Sequence, residues 1–255
     1  MKELISMSEK LNYSNYLNIK ELLSLQNTLS DQTQETLFMI VHQVSELWIK
    51  LIFQNVLELE EKLINNCLEE SVKTLDDIIS VQKQLNGVFE VLNTLSPSEY
   101  LKFRDCLGNA SGFQSFQYRM LEYKLGEKNE YFLSLYQNNT FEKKELEKYY
   151  NLPTTNEILK KALTEYLSFD SKGDIKSLYY EVYKNPKKYN LVYLLLEKII
   201  MIDSNFKTWR FNHMNTVQKI IGNKTGTGGS SGVEYLKKYL HRQFFRELWD
   251  VRNIL

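Results

Sequence analysis

The chain has 255 residues, 43% of them hydrophobic, and its 32 Lys plus Arg are balanced by 32 Asp plus Glu. That is enough apolar content for one large core, and the zero net charge excludes the basic excess that grips a nucleic-acid backbone or an anionic lipid surface. No apolar run approaches the roughly 20 residues that span a bilayer. The N-terminal Met1-Lys2-Glu3-Leu4-Ile5-Ser6 lacks an apolar signal core, and Cys67 and Cys106 are too few for a disulfide framework, so a soluble cytoplasmic protein with reduced thiols is expected.

Helical spacing dominates the chain. Leu37, Val41, Val44, Leu47, Trp48, Leu51, Ile52 and Val56 recur at steps of three and four, which predicts a helix capped by Asp31 or Thr33. Residues 73–95 repeat the pattern through Leu75, Ile78, Ile79, Leu85, Phe89 and Leu92. Shorter helices are predicted at 112–126, 128–138 and 155–169, a long one at 187–221 and a last one at 232–254. The only prolines, Pro97, Pro153 and Pro186, punctuate these segments. No stretch alternates with period two, so residues 1–255 are expected to form one all-α domain of long, roughly antiparallel helices. The exception is 222–232, which holds five of the ten glycines and cannot be helix or strand. Such local exceptions tend to fall at functional sites.

The chain has three histidines. His42 shares a helix face with Phe38 and Ser45, and His213 lies on the apolar side with Phe206, Trp209 and Val217. On spacing alone each reads more simply as a buried histidine satisfied by one hydrogen bond, and His241 as a surface or interface residue. HExxH is absent, which disfavours zinc. A single imidazole does suffice as the protein ligand of haem iron, and long helices can enclose a flat macrocycle. CxxCH is also absent, so any haem would not be covalently attached in the c-type manner. Arg104, flanked by aromatics and followed by a turn of small residues, has the fork that binds carboxylates; a surface salt bridge with Asp105 or Glu99 is the plainer reading.

Three ordered motifs together resemble the tryptophan 2,3-dioxygenase family. Leu37-Phe38, His42-Gln43, Glu46-Leu47-Trp48 and Lys50 match LFxxxHQxxELWxK. Phe103-Arg104, Leu107, Ser111 through Ser115, Gln117 and Arg119 match FRxxLxxxSGFQSxQxR. Trp209-Arg210, His213, Ile221-Gly222, Lys224 and Gly226 through Gly232 match WRxxH followed by IGxKxGTGGSSG. The C-terminal Glu247-Leu248-Trp249, Val251 and Arg252, and the early Tyr13 to Leu17, also fit. Ser14 and Asn109 replace the Gly and Pro of many members, both at loop positions, and 128–185 carries no motif.

The resemblance implies haem b, one per subunit and ferrous when active, with His213 as the iron's axial ligand and Trp209 and Ser111 at the cofactor. It implies L-tryptophan and O2 as substrates, cleaved to N-formyl-L-kynurenine. His42 would lie beside the indole nitrogen, Phe38 and Tyr100 would line the pocket, Arg104 would hold the carboxylate, and Thr227 would meet the ammonium in a loop that orders over substrate. It implies a homotetramer, a dimer of dimers, in which the 1–20 segment reaches a neighbouring subunit and brings Tyr13 and Tyr16 to its site. The rival expectations are a related haem-dependent aromatic oxygenase acting on a modified tryptophan, indole or tyrosine, a haem-binding sensor without turnover, and a cofactor-free scaffold.

Overall fold

The computed structural model describes residues 11–169 and 174–255; residues 1–10 of the N-terminal segment lie outside it. The described chain is all helical. The elements are α1 Tyr13–Leu17, α2 Ile19–Leu23, α3 Thr33–Ile64, α4 Leu68–Leu92, α5 Pro97–Leu101, α6 Phe116–Leu125, α7 Tyr131–Ser134, α8 Phe141–Asn151, α9 Thr155–Tyr166, α10 Ile175–Lys184, α11 Asn190–Ile221, α12 Val233–Lys237 and α13 Arg246–Asp250. Among the described residues there is no strand.

Three long helices form the frame, with α4 packed on both α3 and α11. α3 turns into α4 through Asn66 at φ 61°, where Asn66 N–H donates to Leu63 O and Cys67 N–H to Lys62 O. That left-handed residue and its two reversed bonds close the helix end and turn the chain back antiparallel. The long helices share a core through Ile49, Ile52, Val56, Leu75, Ile78, Leu195 and Ile199. A polar seam ties α4 to α11: Gln82 Nε2 donates to Ile202 O at 3.1 Å and Thr216 Oγ1 to Asn93 Oδ1 at 3.0 Å. A second apolar cluster joins Val41, Phe89, Leu92, Leu95, Tyr100, Phe103 and Ile220 at the other end.

Four expectations are corrected. α3 has Gln32 at its N-cap and no side-chain cap from Asp31 or Thr33. Glu35 instead turns back to accept from Leu29 N–H at 2.7 Å and Ser30 N–H at 2.8 Å; burial works against its charge, yet these bonds hold its pKa below the usual carboxylate value. α3 is also long and apolar enough, by length and composition, to cross a membrane, with an 18-residue window of mean hydropathy 1.4; here it lies against α4 and α6. The 128–138 helix shrinks to α7. The 232–254 helix breaks into α12, an irregular stretch and α13, because buried Asp203 on α11 draws in the backbone: its Oδ2 accepts from Phe244 N–H at 3.0 Å, Phe245 N–H at 3.3 Å and Trp249 Nε1–H at 2.8 Å. α8 and α10 were not expected at all.

Candidate functional site

α3, α5 and the turn after α5 bring Phe38, His42, Tyr100 and Phe103 together. The Phe38 ring lies 4.2 Å from His42, 5.8 Å from Tyr100 and 5.7 Å from Phe103. The position of α5 is fixed by a capping box, in which Ser96 and Glu99 satisfy each other's backbone N–H groups. Phe103 is fully buried and completes the aromatic wall; sequence reasoning gave it no role beyond its place in the motif.

His42 Nδ1 lies 2.7 Å from the Phe38 carbonyl oxygen one turn back. A carbonyl only accepts, so Nδ1 carries the proton and Nε2 keeps its lone pair. Burial pushes the His42 pKa below 6.5, outweighing the Phe38 carbonyl and the Glu46 carboxylate, which raise it. On α11, His213 lies 5.5 Å from the Trp209 ring and 6.2 Å from Phe89 of α4. Its pKa is pushed down to about 4, by burial first, then by the charges of His42 and Arg119. Both imidazoles are deep in the protein, yet each keeps part of its surface accessible. Among the described residues no group of three or more His, Cys, Asp or Glu is placed to hold a metal ion, so an iron here would rely on one imidazole and a macrocycle.

Beside His213 is a cluster that sequence reasoning did not single out. The Tyr118 ring lies tilted 4.9 Å from that of Trp209, and the Arg119 guanidinium lies 5.2 Å from the Tyr118 ring and 3.9 Å from that of Phe132. Arg119 pairs with Glu122, while Arg210 Nη1 donates to Arg242 O at 3.0 Å. All three residues are buried; Arg119 Nε has no hydrogen-bond partner in the protein, and the Tyr118 hydroxyl faces the Arg210 guanidinium. Buried donors without partners are costly. The available signal was two arginines, each beside an aromatic, inside apolar helical runs.

Arg104 and Thr227 meet at the glycine-rich loop. Arg104 Nη2 donates to Thr225 O at 2.5 Å, and Thr227 Oγ1 donates to Ala110 O at 2.6 Å. A Cβ added at Gly228 would sit 2.7 Å from Ser111 Cβ, so the loop needs glycine to lie this close to the 104–111 wall. A cleft of about 440 Å³ opens between loop and wall, lined by Arg104, Asp105, Gly108, Thr225, Gly226 and Thr227. Arg104 also links this cleft to the aromatic wall: burial raises the Tyr100 pKa, and the Arg104 charge opposes it. Tyr13 and Tyr16 stand apart, strongly exposed on α1, with no ring contact to the aromatic wall. His241 is exposed.

The family profile of tryptophan 2,3-dioxygenase matches residues 2–168 and 164–255. The tryptophan 2,3-dioxygenase of Bacillus cereus (strain ATCC 10987 / NRS 248) is 40% identical over 261 residues, covering 97% of this chain and 94% of the relative. That of Geobacillus thermodenitrificans (strain NG80-2) is 41% identical over 261 residues, with 97% and 93% covered. That of Serratia proteamaculans (strain 568) is 39% identical over 264 residues, with 96% and 94% covered.

Proposed function

The chain belongs to the tryptophan 2,3-dioxygenase family, and from that premise we propose how its residues share the work. The protein is an oxidoreductase that adds both atoms of dioxygen to L-tryptophan, opening the indole between C2 and C3 to give N-formyl-L-kynurenine.

Haem b is the cofactor, and His213 its only protein ligand. The fit rests on chemistry already present. The His213 pKa near 4 leaves its lone pair free at neutral pH, and the ring keeps part of its surface accessible. Trp209 flanks it, Ser111 would lie at the cofactor's edge, and the buried, unpartnered Arg119 Nε would offer a donor to the acid groups of the macrocycle. When bound, haem supplies the oxygen chemistry that no side chain here can perform.

The protein's own task is to hold a zwitterion with a flat apolar ring. Phe38 and Tyr100 wall the indole. His42 Nε2 accepts the indole N–H, because Nδ1 is committed to the Phe38 carbonyl. Arg104 receives the carboxylate and Thr227 the ammonium, under a loop whose glycines allow close approach. Tyr13 and Tyr16 act at the site of a neighbouring subunit in a homotetramer, a role supported by their exposure together with that of Leu17, Leu22 and Leu23. A core running from Ile49 to Val251 supports residues 1–255 as one domain.

The observation that carries this reading is the pair of embedded, partly accessible imidazoles, His42 against the aromatic wall and His213 against Trp209 and Phe89. The test is reconstitution with haem, anaerobic reduction in the presence of L-tryptophan, and admission of oxygen. N-formylkynurenine absorbance and a mass gain of two oxygen atoms are expected. A gain of one oxygen would assign the chain a hydroxylating reaction, and the lack of a Soret band would remove the cofactor.

A further inference from the structure

α4 and α11 meet along a seam built mostly of amides. Gln82 Nε2 donates to Ile202 O, and Asn205 Nδ2 donates to Gln82 Oε1 at 3.1 Å. Asn86 Nδ2 donates to Asn205 O at 3.3 Å and to Gln82 O of its own helix at 3.0 Å. Carbonyls only accept, so the Asn86 amide has one orientation, and its Oδ1 is left to accept from Asn212 Nδ2 at 3.4 Å. Farther along, Asn93 takes the Thr216 hydroxyl on its side chain and Lys219 Nζ on its carbonyl. In each of these cross-helix bonds the partners' numbers differ by 119 to 126. So steady an offset means that the two helices run in the same direction and in one register.

The seam positions on α4 are 82, 86, 89 and 93, the step of four, three and four of a coiled-coil heptad. Three are amides. The fourth is Phe89, which lies at the same offset against the Trp209 and His213 rings, 6.2 Å from each. The apolar position of the seam is therefore the one opposite His213. Sliding α11 by one turn, about 5.4 Å, would break these bonds together. It would leave the buried Gln82 amide and Thr216 hydroxyl unpaired. An apolar seam would allow the same slide at little cost.

We propose that Gln82, Asn86 and Asn93 are positioning residues: they hold α11 in the single register that sets His213 opposite Phe89, and so fix where the axial imidazole meets the cofactor. The proposal rests on the reading that His213 is that ligand. Polar seams give up some stability for register, so leucine in place of an amide is expected to keep the fold and lose the placement.

The full chain tests it. The iron–histidine stretching band is read by resonance Raman on the reduced, haem-loaded protein, and haem titration and thermal melting are run on the same protein before loading. Asn86→Leu removes two cross-helix bonds. Its melting temperature is expected to stay within about 5 °C of the wild type. Its iron–histidine band should shift or split, and its haem dissociation constant should rise roughly 4- to 100-fold. One net hydrogen bond is worth about two- to tenfold, and apparent affinity falls with the fraction of chains in the right register. Ile79→Val trims a buried side chain of α4 outside the seam. It should lower the melting temperature by about 2–5 °C and leave band and affinity as in the wild type. Where Asn86→Leu does not fold, Gln82→Leu, which loses the bonds to Ile202 O and Asn205, serves with the same expectation. An unchanged band and affinity in the leucine variant overturns the proposal. So does a band change in Ile79→Val as large as in Asn86→Leu, because general loosening would then account for both. A wild type that binds haem but shows no iron–histidine band refutes His213 as the ligand, and the proposal falls with it.

Discussion

Replacing His42 with alanine removes a hydrogen-bond acceptor while leaving the aromatic wall and His213 in place. The Phe38 carbonyl holds Nδ1–H at 2.7 Å, so the only group the ring presents to substrate is the Nε2 lone pair. The loss is one buried hydrogen bond, with the indole N–H left unsatisfied, about 1–3 kcal/mol, or roughly 5- to 150-fold in kcat/KM. The assay compares L-tryptophan with 1-methyl-L-tryptophan, which has no indole N–H, in wild type and His42→Ala. Only L-tryptophan is expected to suffer, and the Soret spectrum should persist. Equal losses for both substrates, or loss of haem, would refute the reasoning. The pH dependence follows from the same geometry. Burial lowers the His42 pKa below 6.5, so the ring is neutral at physiological pH, and the acid limb of kcat/KM should fall below pH 6.5. Protonation would place a second N–H against the indole N–H and end the acceptance. A limb at or above pH 6.5 would show that the Glu46 carboxylate and the Phe38 carbonyl outweigh burial. The fold should also lose stability as pH falls past the ordinary value, because the unfolded chain takes up that proton first.

His213→Ala should bind no haem, or bind it only with added imidazole; an unchanged Soret band would misplace the ligand. Arg104 is only partly buried, so its charge-assisted bonds to the carboxylate are worth about 1.5–3 kcal/mol, and Arg104→Ala should raise the KM for L-tryptophan roughly 10- to 150-fold. The same change should matter little for tryptamine, and parallel losses would point to a structural ion pair. Asp203→Ala strips three hydrogen bonds from one fully buried oxygen, a loss of about 3–5 kcal/mol that should lower Tm by roughly 6–20 °C. A melting shift under 2 °C would mean that the C-terminal segment docks by its aromatic side chains alone.

The long helices were legible because a burial pattern repeated over many turns leaves little ambiguity; 187–221 is observed as Asn190–Ile221. α8 was not, because only Leu146 and Tyr149 of its eleven residues are buried and six of the others are charged. The C-terminal break was hidden for another reason: it is imposed by Asp203, some forty residues earlier, and no local window contains both partners. At the site, the residues named from the motifs fall into contact groups: Phe38 with His42 and Tyr100, Trp209 with His213, and Arg104 and Thr227 with the glycine loop. The Phe38 carbonyl that orients His42 and the Ala110 and Thr225 carbonyls beneath the loop were invisible, because backbone acceptors carry no sequence signature. Arg119 and Arg210 stand in the matched motifs without a role of their own, because a buried cation looks like a surface one until its surroundings are known.

α4 contributes no side chain to the proposed chemistry, yet it touches both halves of it. Its Phe89 packs in one cluster with Val41, the neighbour of His42, and lies against Trp209 and His213 at 6.2 Å. What the neighbourhoods of the two imidazoles share is therefore apolar packing on α4, not a bond between polar groups. Lys83 and Glu90, on the solvent side of that helix, stand clear of this packing, whereas a trim at Phe89 loosens it directly. An enzyme of this architecture meant to admit a bulkier indole is best widened from behind, on a helix that meets no reactant.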